Sequence, residues 1–270
     1  MTIDAAAFVG QIPEYYDRGL GPVLFADYAA DMARRVAASG AKNVLEIAAG
    51  TGIVSRQLRN LLPADARLTV SDLNAPMLEF ARAKFGADEN IAFRVADGGA
   101  LPFEDGAFDA VVCQFGVMFF PDKEVAYREA RRVLSPGGRY FLSVWDSFRY
   151  NRSARLAHET IASAFTDDPP CFYQVPYGHF ALDPIKEELL DAGFTELKIE
   201  VLSRVRQVAS IEDFARGLVF GNPLIDEIRR RAVVSPEALA AQLTEALGSE
   251  FGVKPCRVPM QAIFAEAQRL

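Results

Sequence analysis

The chain reads as an α/β fold built on a parallel sheet, and three observations carry that reading. Between residues 40 and 145, short apolar runs alternate with amphipathic helical stretches, a pattern that implies parallel strands with helices on both faces. The first apolar run, Val44-Leu45-Glu46-Ile47, ends beside a carboxylate and passes into the small-residue turn Ala48-Ala49-Gly50-Thr51-Gly52. Strand, small-residue turn and helix in this order form the ligand-facing corner of nucleotide-binding α/β domains, where small side chains let a ligand lie against backbone. Composition agrees: of 270 residues, 50% are hydrophobic and 24% charged, the balance of a soluble globular protein able to bury a full core.

Candidate strands lie at 43–48, 67–71, 91–95, 108–114 and 138–145, with helical segments at 53–62, 75–85 and 122–134 between them. The segment Ser135-Pro136-Gly137-Gly138 is read as a helix stop and tight turn feeding the fifth strand. Residues 1–38 hold Tyr15-Tyr16-Asp17 and a helix from Leu24 to Ala38. Beyond 145 the regularity is lost. A helix is expected over 150–165, an aromatic, proline-rich loop over 166–180 and a helix over 183–192. A long alternating strand at 196–208, helices at 210–219, 223–231 and 236–247, and a final strand at 257–267 complete the chain. The expected organisation is one domain over 1–270, with a core at 40–145 and insertions at 1–38, 150–192 and 210–250. Insertions at the ligand-bearing edge are where specificity is built.

A net charge of −7 argues against a nucleic-acid polyanion as main partner, and Arg229-Arg230-Arg231 reads as a solvated helix face. Cys113, Cys171 and Cys256 are widely spaced and odd in number, giving neither a disulfide framework nor a metal site. The start of the chain carries Asp4 and no basic, apolar leader pattern, and no apolar run reaches membrane-spanning length. A cytoplasmic protein without membrane insertion is expected; oligomeric state is open.

In such a sheet ligands sit at the carboxyl ends of the strands, so the residues after each strand are the informative ones. A dinucleotide fold presents GxGxxG to a pyrophosphate. Here an acid, Glu46, precedes the turn, which favours an adenosine ligand carrying positive charge. Asp72 closes the second strand, where a carboxylate accepts from both ribose hydroxyls; the competing reading is helix capping, a role Asn74 fills better. Asp97, after the third strand, suits an exocyclic amine, with a turn-forming aspartate beside Gly98 and Gly99 as the alternative. Gln114 is polar at the end of a buried strand, and Phe115, Met118, Phe119 and Phe120 follow it. Cys113 reads as a buried small hydrophobe. His158 and His179 lack metal spacing, and no nucleophile motif is present.

This ordered set resembles the class I S-adenosylmethionine-dependent methyltransferases, and among them the type 11 enzymes similar to ubiquinone/menaquinone C-methyltransferases. The residues that carry the resemblance are Leu45–Gly52, Ala96-Asp97-Gly98 through Phe103, Phe108–Val112 and Arg132–Gly138. It implies a Rossmann-like three-layer sandwich whose seven-stranded sheet is mostly parallel with an antiparallel last strand, capped by the helical insertions. It also implies that Glu46, Ala48, Gly50 and Gly52 hold the methionine moiety and that Asp72 binds the ribose. Leu73 and Met77 would then face the adenine, Asp97 and Gly98 its amine edge, and Gln114 the region near the sulfonium. Ala48 departs from the family's glycine. Alanine is disfavoured there only where φ must be positive, and loss of binding is not expected.

Methyl transfer from a sulfonium is an SN2 displacement with a good leaving group, so alignment is the main task. A base is needed only when the acceptor must lose a proton. His179, Tyr15, Tyr16 and His158 are the candidates, and no metal is expected. The leading expectation is S-adenosylmethionine-dependent methylation of a small, partly apolar molecule. A catalytically silent binder of the same cofactor and, less in keeping with the acid-first turn, a nicotinamide-dependent dehydrogenase stand as alternatives.

Overall fold

The computed structural model describes residues 5–270. Asp4, and the first four residues of the expected N-terminal segment, lie outside them. The chain opens with α1 (Ile12–Tyr15), wider π-helical turns over Tyr16–Phe25, and α2 (Ala26–Ala38). It continues through β1 (Asn43–Glu46), α3 (Ile53–Leu61), β2 (Arg67–Asp72), α4 (Ala75–Arg82), β3 (Ile91–Val95) and β4 (Phe108–Gln114). Then come α5 (Lys123–Val133), β5 (Leu134–Trp145), α6 (Arg152–Ala162), α7 (Leu182–Asp191) and β6 (Thr195–Val208). The last elements are α8 (Ile211–Phe220), α9 (Leu224–Arg231), α10 (Pro236–Phe251) and β7 (Cys256–Gln268).

The seven strands form one sheet in the order β3-β2-β1-β4-β5-β7-β6. Pairing is parallel from β3 through β5, and β7 runs antiparallel to both β5 and β6. The chain order reverses between β1 and β4, so a crevice opens at the carboxyl ends of those two strands. Successive strand residues face opposite sides: Val44 and Val112 join a core shared with α2 and α3, whereas Leu45 and Val111 join the larger core beneath α5 to α8. The expected fold class is the observed one.

Two local expectations change. Ser135–Gly138 is not a turn ahead of β5 but part of it: Phe108 pairs with Leu134, and the register then slips so that Ala110 meets Arg139. The extra residues bulge, with Gly137 in a left-handed conformation and its amide donating to the Arg269 carbonyl at 2.7 Å. The N-terminal helix also begins well before Leu24. Gly19, Gly21 and Pro22 disfavour a helix by propensity, yet the turns form because they are wedged against α8. A Cβ on Gly19 would lie 2.5 Å from the Asp213 carbonyl oxygen, so only glycine lets the two backbones approach this closely. Among the described residues no helix is long and apolar enough to cross a membrane.

Candidate cofactor and acceptor site

The turn after β1 is built from alternating left-handed residues: Ala48 at φ +52°, Gly50 at +56° and Gly52 at +78°. Gly52 is fixed twice over, because a Cβ there would also lie 2.8 Å from the Ala81 methyl. Ala48 thus occupies the conformation that disfavours alanine and adopts it at a cost of about 1–2 kcal/mol. Its methyl fills the space above Gly116, where a Cβ would sit only 2.4 Å away.

Around this turn the carboxylates are buried. Glu46 is 1% exposed, and its Oε2 has no hydrogen-bond partner among the described residues. Burial, aided by the neighbouring Asp72 charge, pushes its carboxyl up to about 8. Asp72 Oδ2 accepts from the Gly50 amide at 2.8 Å, and Oδ1 accepts from the Asn74 amide at 2.8 Å and side chain at 3.3 Å. Burial raises the Asp72 carboxyl against the lowering pull of those donors. Asn74 stands at the N-cap of α4 without making a side-chain cap; its amide donates instead to the Ala6 carbonyl at 2.9 Å. Asp72 therefore braces the turn and still has free lone pairs for a ligand.

Asp97 is exposed at the end of β3 and accepts from the Gly99 amide at 2.8 Å, which is the turn-forming role. Gly98 beside it is buried under the Phe120 ring, which a Cβ would meet at 2.7 Å. Leu73 is 51% exposed, whereas Met77 is buried with its Cε 3.9 Å from the Cβ position of Gly50. Gln114 ends β4, and its Oε1 is buried without a partner among the described residues. Two orphaned oxygens, Glu46 Oε2 and Gln114 Oε1, thus stand at the ends of adjacent strands beside a backbone cradle. That donor-poor, acceptor-rich set fits a ligand bearing ammonium and sulfonium charge.

The N-terminal segment crosses this edge. Asp17 accepts from the Thr51 hydroxyl at 2.7 Å and pairs with Lys84, which ties the π-helical turns to the glycine turn and to the residues after α4. Tyr16 lies next to it, its phenol pushed far up by burial and by the Asp72 and Asp17 charges. Beyond the turn, past β4 and β5, is a cavity of about 60 Å³. Its walls include Phe8 and Tyr16 from the N-terminal segment, Phe115 and Trp145 from the strand ends, and Tyr173 and Tyr177 from the loop before α7. Phe115 adopts φ +55° and stacks on Trp145 with centroids 3.9 Å apart and planes 7° from parallel.

The proposed bases are dispersed. Tyr16 lines the cavity, while Tyr15 turns away to stack on Phe220 and accept from Arg216 at 3.3 Å. His158 stacks on Phe148. His179 packs between α5 and α7, with Nε2 3.4 Å from the Tyr127 hydroxyl and 3.3 Å from Glu188 Oε2. Burial drives the His179 imidazole down to about 4. Neither histidine lines the cavity. Cys113 is fully buried, and burial pushes its thiol up to about 12, as suits a core hydrophobe. Sequence reading missed Asp17, Phe8 and Trp145; applying the strand-end rule to the fifth strand would have found Trp145.

A mostly parallel sheet with this strand order, an acid-first left-handed turn and a second strand ending in a buried aspartate form a Rossmann-like α/β domain. Residues 45–142 match the family described as "Methyltransferase domain". The chain is 33% identical over 165 residues to the ubiquinone/menaquinone biosynthesis C-methyltransferase UbiE of Pseudomonas syringae pv. tomato, covering 56% of this chain and 64% of that protein. It spans less than two thirds of the length of such curated relatives. Two solved structures share the fold. The YcgJ protein of Bacillus subtilis covers 88% of this chain and 98% of its own at 19% identity and a TM-score of 0.57. Haemonchus contortus phosphoethanolamine N-methyltransferase 2, solved with S-adenosyl-L-methionine, covers 96% of this chain and 57% of its own at 16% identity and a TM-score of 0.60. The chain thus shares the fold of these structures, and its residues 45–142 match the methyltransferase domain family.

Proposed function

We propose that the protein transfers the methyl group of S-adenosylmethionine to a small, partly apolar molecule by SN2 displacement and releases S-adenosylhomocysteine. The observation that carries this reading is the pair of partnerless buried oxygens, Glu46 Oε2 and Gln114 Oε1, beside the left-handed turn. In this reading Glu46 takes the cofactor's ammonium, and the amides around Ala48, Gly50 and Gly52 meet its methionine end. Asp72 takes the ribose hydroxyls, Leu73 and Met77 flank the adenine, Asp97 and Gly98 meet the adenine amine edge, and Gln114 faces the sulfonium. The aromatic cavity past β4 then receives the acceptor. Alignment supplies the acceleration, since two reactants held in near-attack geometry gain up to roughly 7–11 kcal/mol.

Calorimetry with S-adenosylmethionine tests the reading: binding by the wild type, weakened at least tenfold in Asp72→Ala, is expected, and no wild-type binding refutes it. A catalytically silent cofactor binder is the second reading, favoured by the placement of both histidines away from the cavity. Methylated product from any acceptor eliminates it. We further propose a cytoplasmic enzyme, consistent with the three free cysteines.

A further inference from the structure

Nine of the fifteen described residues around the acceptor cavity carry aromatic rings, and no acid, lysine, arginine or histidine is among them. The polar groups that do face it are committed or inert. Asn222 spends its amide on the Leu218 carbonyl at 3.0 Å and its oxygen on the Leu224 amide at 3.1 Å. The Tyr173 hydroxyl donates to the same Leu218 carbonyl at 2.6 Å. Burial raises the phenols of Tyr16, Tyr173 and Tyr177, which keeps all three neutral. A wall of this kind cannot take a proton from an acceptor.

Phenol oxygens must lose a proton to be methylated, and ring carbons must lose one after attack. A neutral nitrogen or sulfur with a free lone pair loses none. The wall also suits the product of that reaction, because aromatic faces attract a desolvated cation. The space agrees: about 60 Å³ holds roughly four water-sized groups at about 15 Å³ each, the size of a trimethylated nitrogen and smaller than a fused ring.

Resting on the cofactor reading above, we propose that the acceptor presents a neutral tertiary amine or thioether head, which leaves as a quaternary ammonium or sulfonium. The acceptor's lone pair forms the new bond to the methyl carbon as the donor's carbon–sulfur bond breaks. The bonding pair stays on the donor sulfur, the positive charge passes to the acceptor, and no proton is released. The family match over residues 45–142 takes in only Phe115, Met118 and Phe119 of the wall, so it does not fix this head group.

The test uses the full chain with S-adenosylmethionine carrying a trideuterated methyl and, in separate reactions, N,N-dimethylaniline, thioanisole, phenol and hydroquinone, read by mass spectrometry. Labelled onium products from the first two are expected; labelled phenol or hydroquinone products in their place overturn the proposal. A binding arm covers slow probes: with S-adenosylhomocysteine present, trimethylphenylammonium is expected to bind at least tenfold more tightly than tert-butylbenzene, its neutral isostere. Equal or weaker binding of the cation overturns the proposal. Trp145→Leu should erase that cation preference while leaving S-adenosylhomocysteine affinity within about twofold. Failure to bind S-adenosylhomocysteine at all instead counts against the cofactor reading.

Discussion

The Glu46 carboxyl gives the sharpest test of the cofactor site, because its burial has an opposite consequence in each state of the protein. With no cation beside it, burial pushes the group up to about 8. A bound ammonium needs the carboxylate, so binding below that pH must first expel a proton. If the ammonium returns Glu46 toward the ordinary value of 4.5, affinity follows the ligand-free carboxylate fraction: about one hundredth at pH 6, one tenth at pH 7 and one half at pH 8. With the cofactor's own amine already losing its proton near pH 8, the affinity for S-adenosylmethionine should therefore rise roughly twenty-fold from pH 6 to pH 8, with release of most of one proton per cofactor at pH 7. Above about 8 the cofactor's own amine deprotonates and affinity turns down. Isothermal calorimetry across pH, repeated in buffers of different ionisation enthalpy, reads both effects. Glu46→Gln should remove the rising limb and leave only the falling one. A wild-type affinity that is flat from pH 6 to 8, or a glutamine variant that keeps the rise, refutes this account. The same substitution should move stability the other way. Between the ordinary value of 4.5 and about 8, the folded state holds a proton that the unfolded chain has released. Stability of the ligand-free protein therefore falls as pH rises through that window and levels off above it. Glu46→Gln should raise the melting temperature of the ligand-free protein at pH 8 while weakening cofactor binding.

Other perturbations separate geometry from chemistry. Gly52→Ala forces a methyl into a left-handed position and against Ala81, and should cost about 2–4 kcal/mol in urea unfolding from strain and overpacking together. Ala48→Gly relieves about 1–2 kcal/mol of strain but loses about 0.8 kcal/mol of methyl burial and frees the unfolded chain; denaturation midpoints should show a net change within about 1 kcal/mol. His179, held down to about 4, should stay neutral in the folded state from pH 5 to 8, which an NMR titration of its imidazole will show. Because the unfolded chain protonates first, its contribution to stability declines as pH falls from 6.5 toward 4.

What the sequence made legible follows from where each feature's determinants lie. The sheet and the cofactor edge are written locally: each strand, turn and helix from 43 to 114 carries its own apolar period and its own terminal polar residue, so Glu46, Asp72, Asp97 and Gln114 could be placed at strand ends before any packing was known. What each carboxylate does at its strand end was less legible. The partners of Asp72 are backbone amides from two separate loops, and those of Asp97 come from its own turn. The N-terminal turns and the aromatic wall are non-local. Tyr16–Phe25 is helical against the propensity of its two glycines and its proline because Gly217 of α8 and Gly221 just past its end, some 200 residues away in sequence, let it seat closely. Phe115 takes a left-handed conformation that no aromatic residue prefers, held by its stack on Trp145 from the next strand. Such strain persists only where the surroundings over-determine it. It stands here one residue beyond Gln114, at the boundary between the cofactor edge and the acceptor cavity. The cofactor half of the site is thus fixed by short-range sequence. The acceptor half is assembled from five separate segments, so the identity of the acceptor has to be argued from the walls of the cavity and not from any one motif.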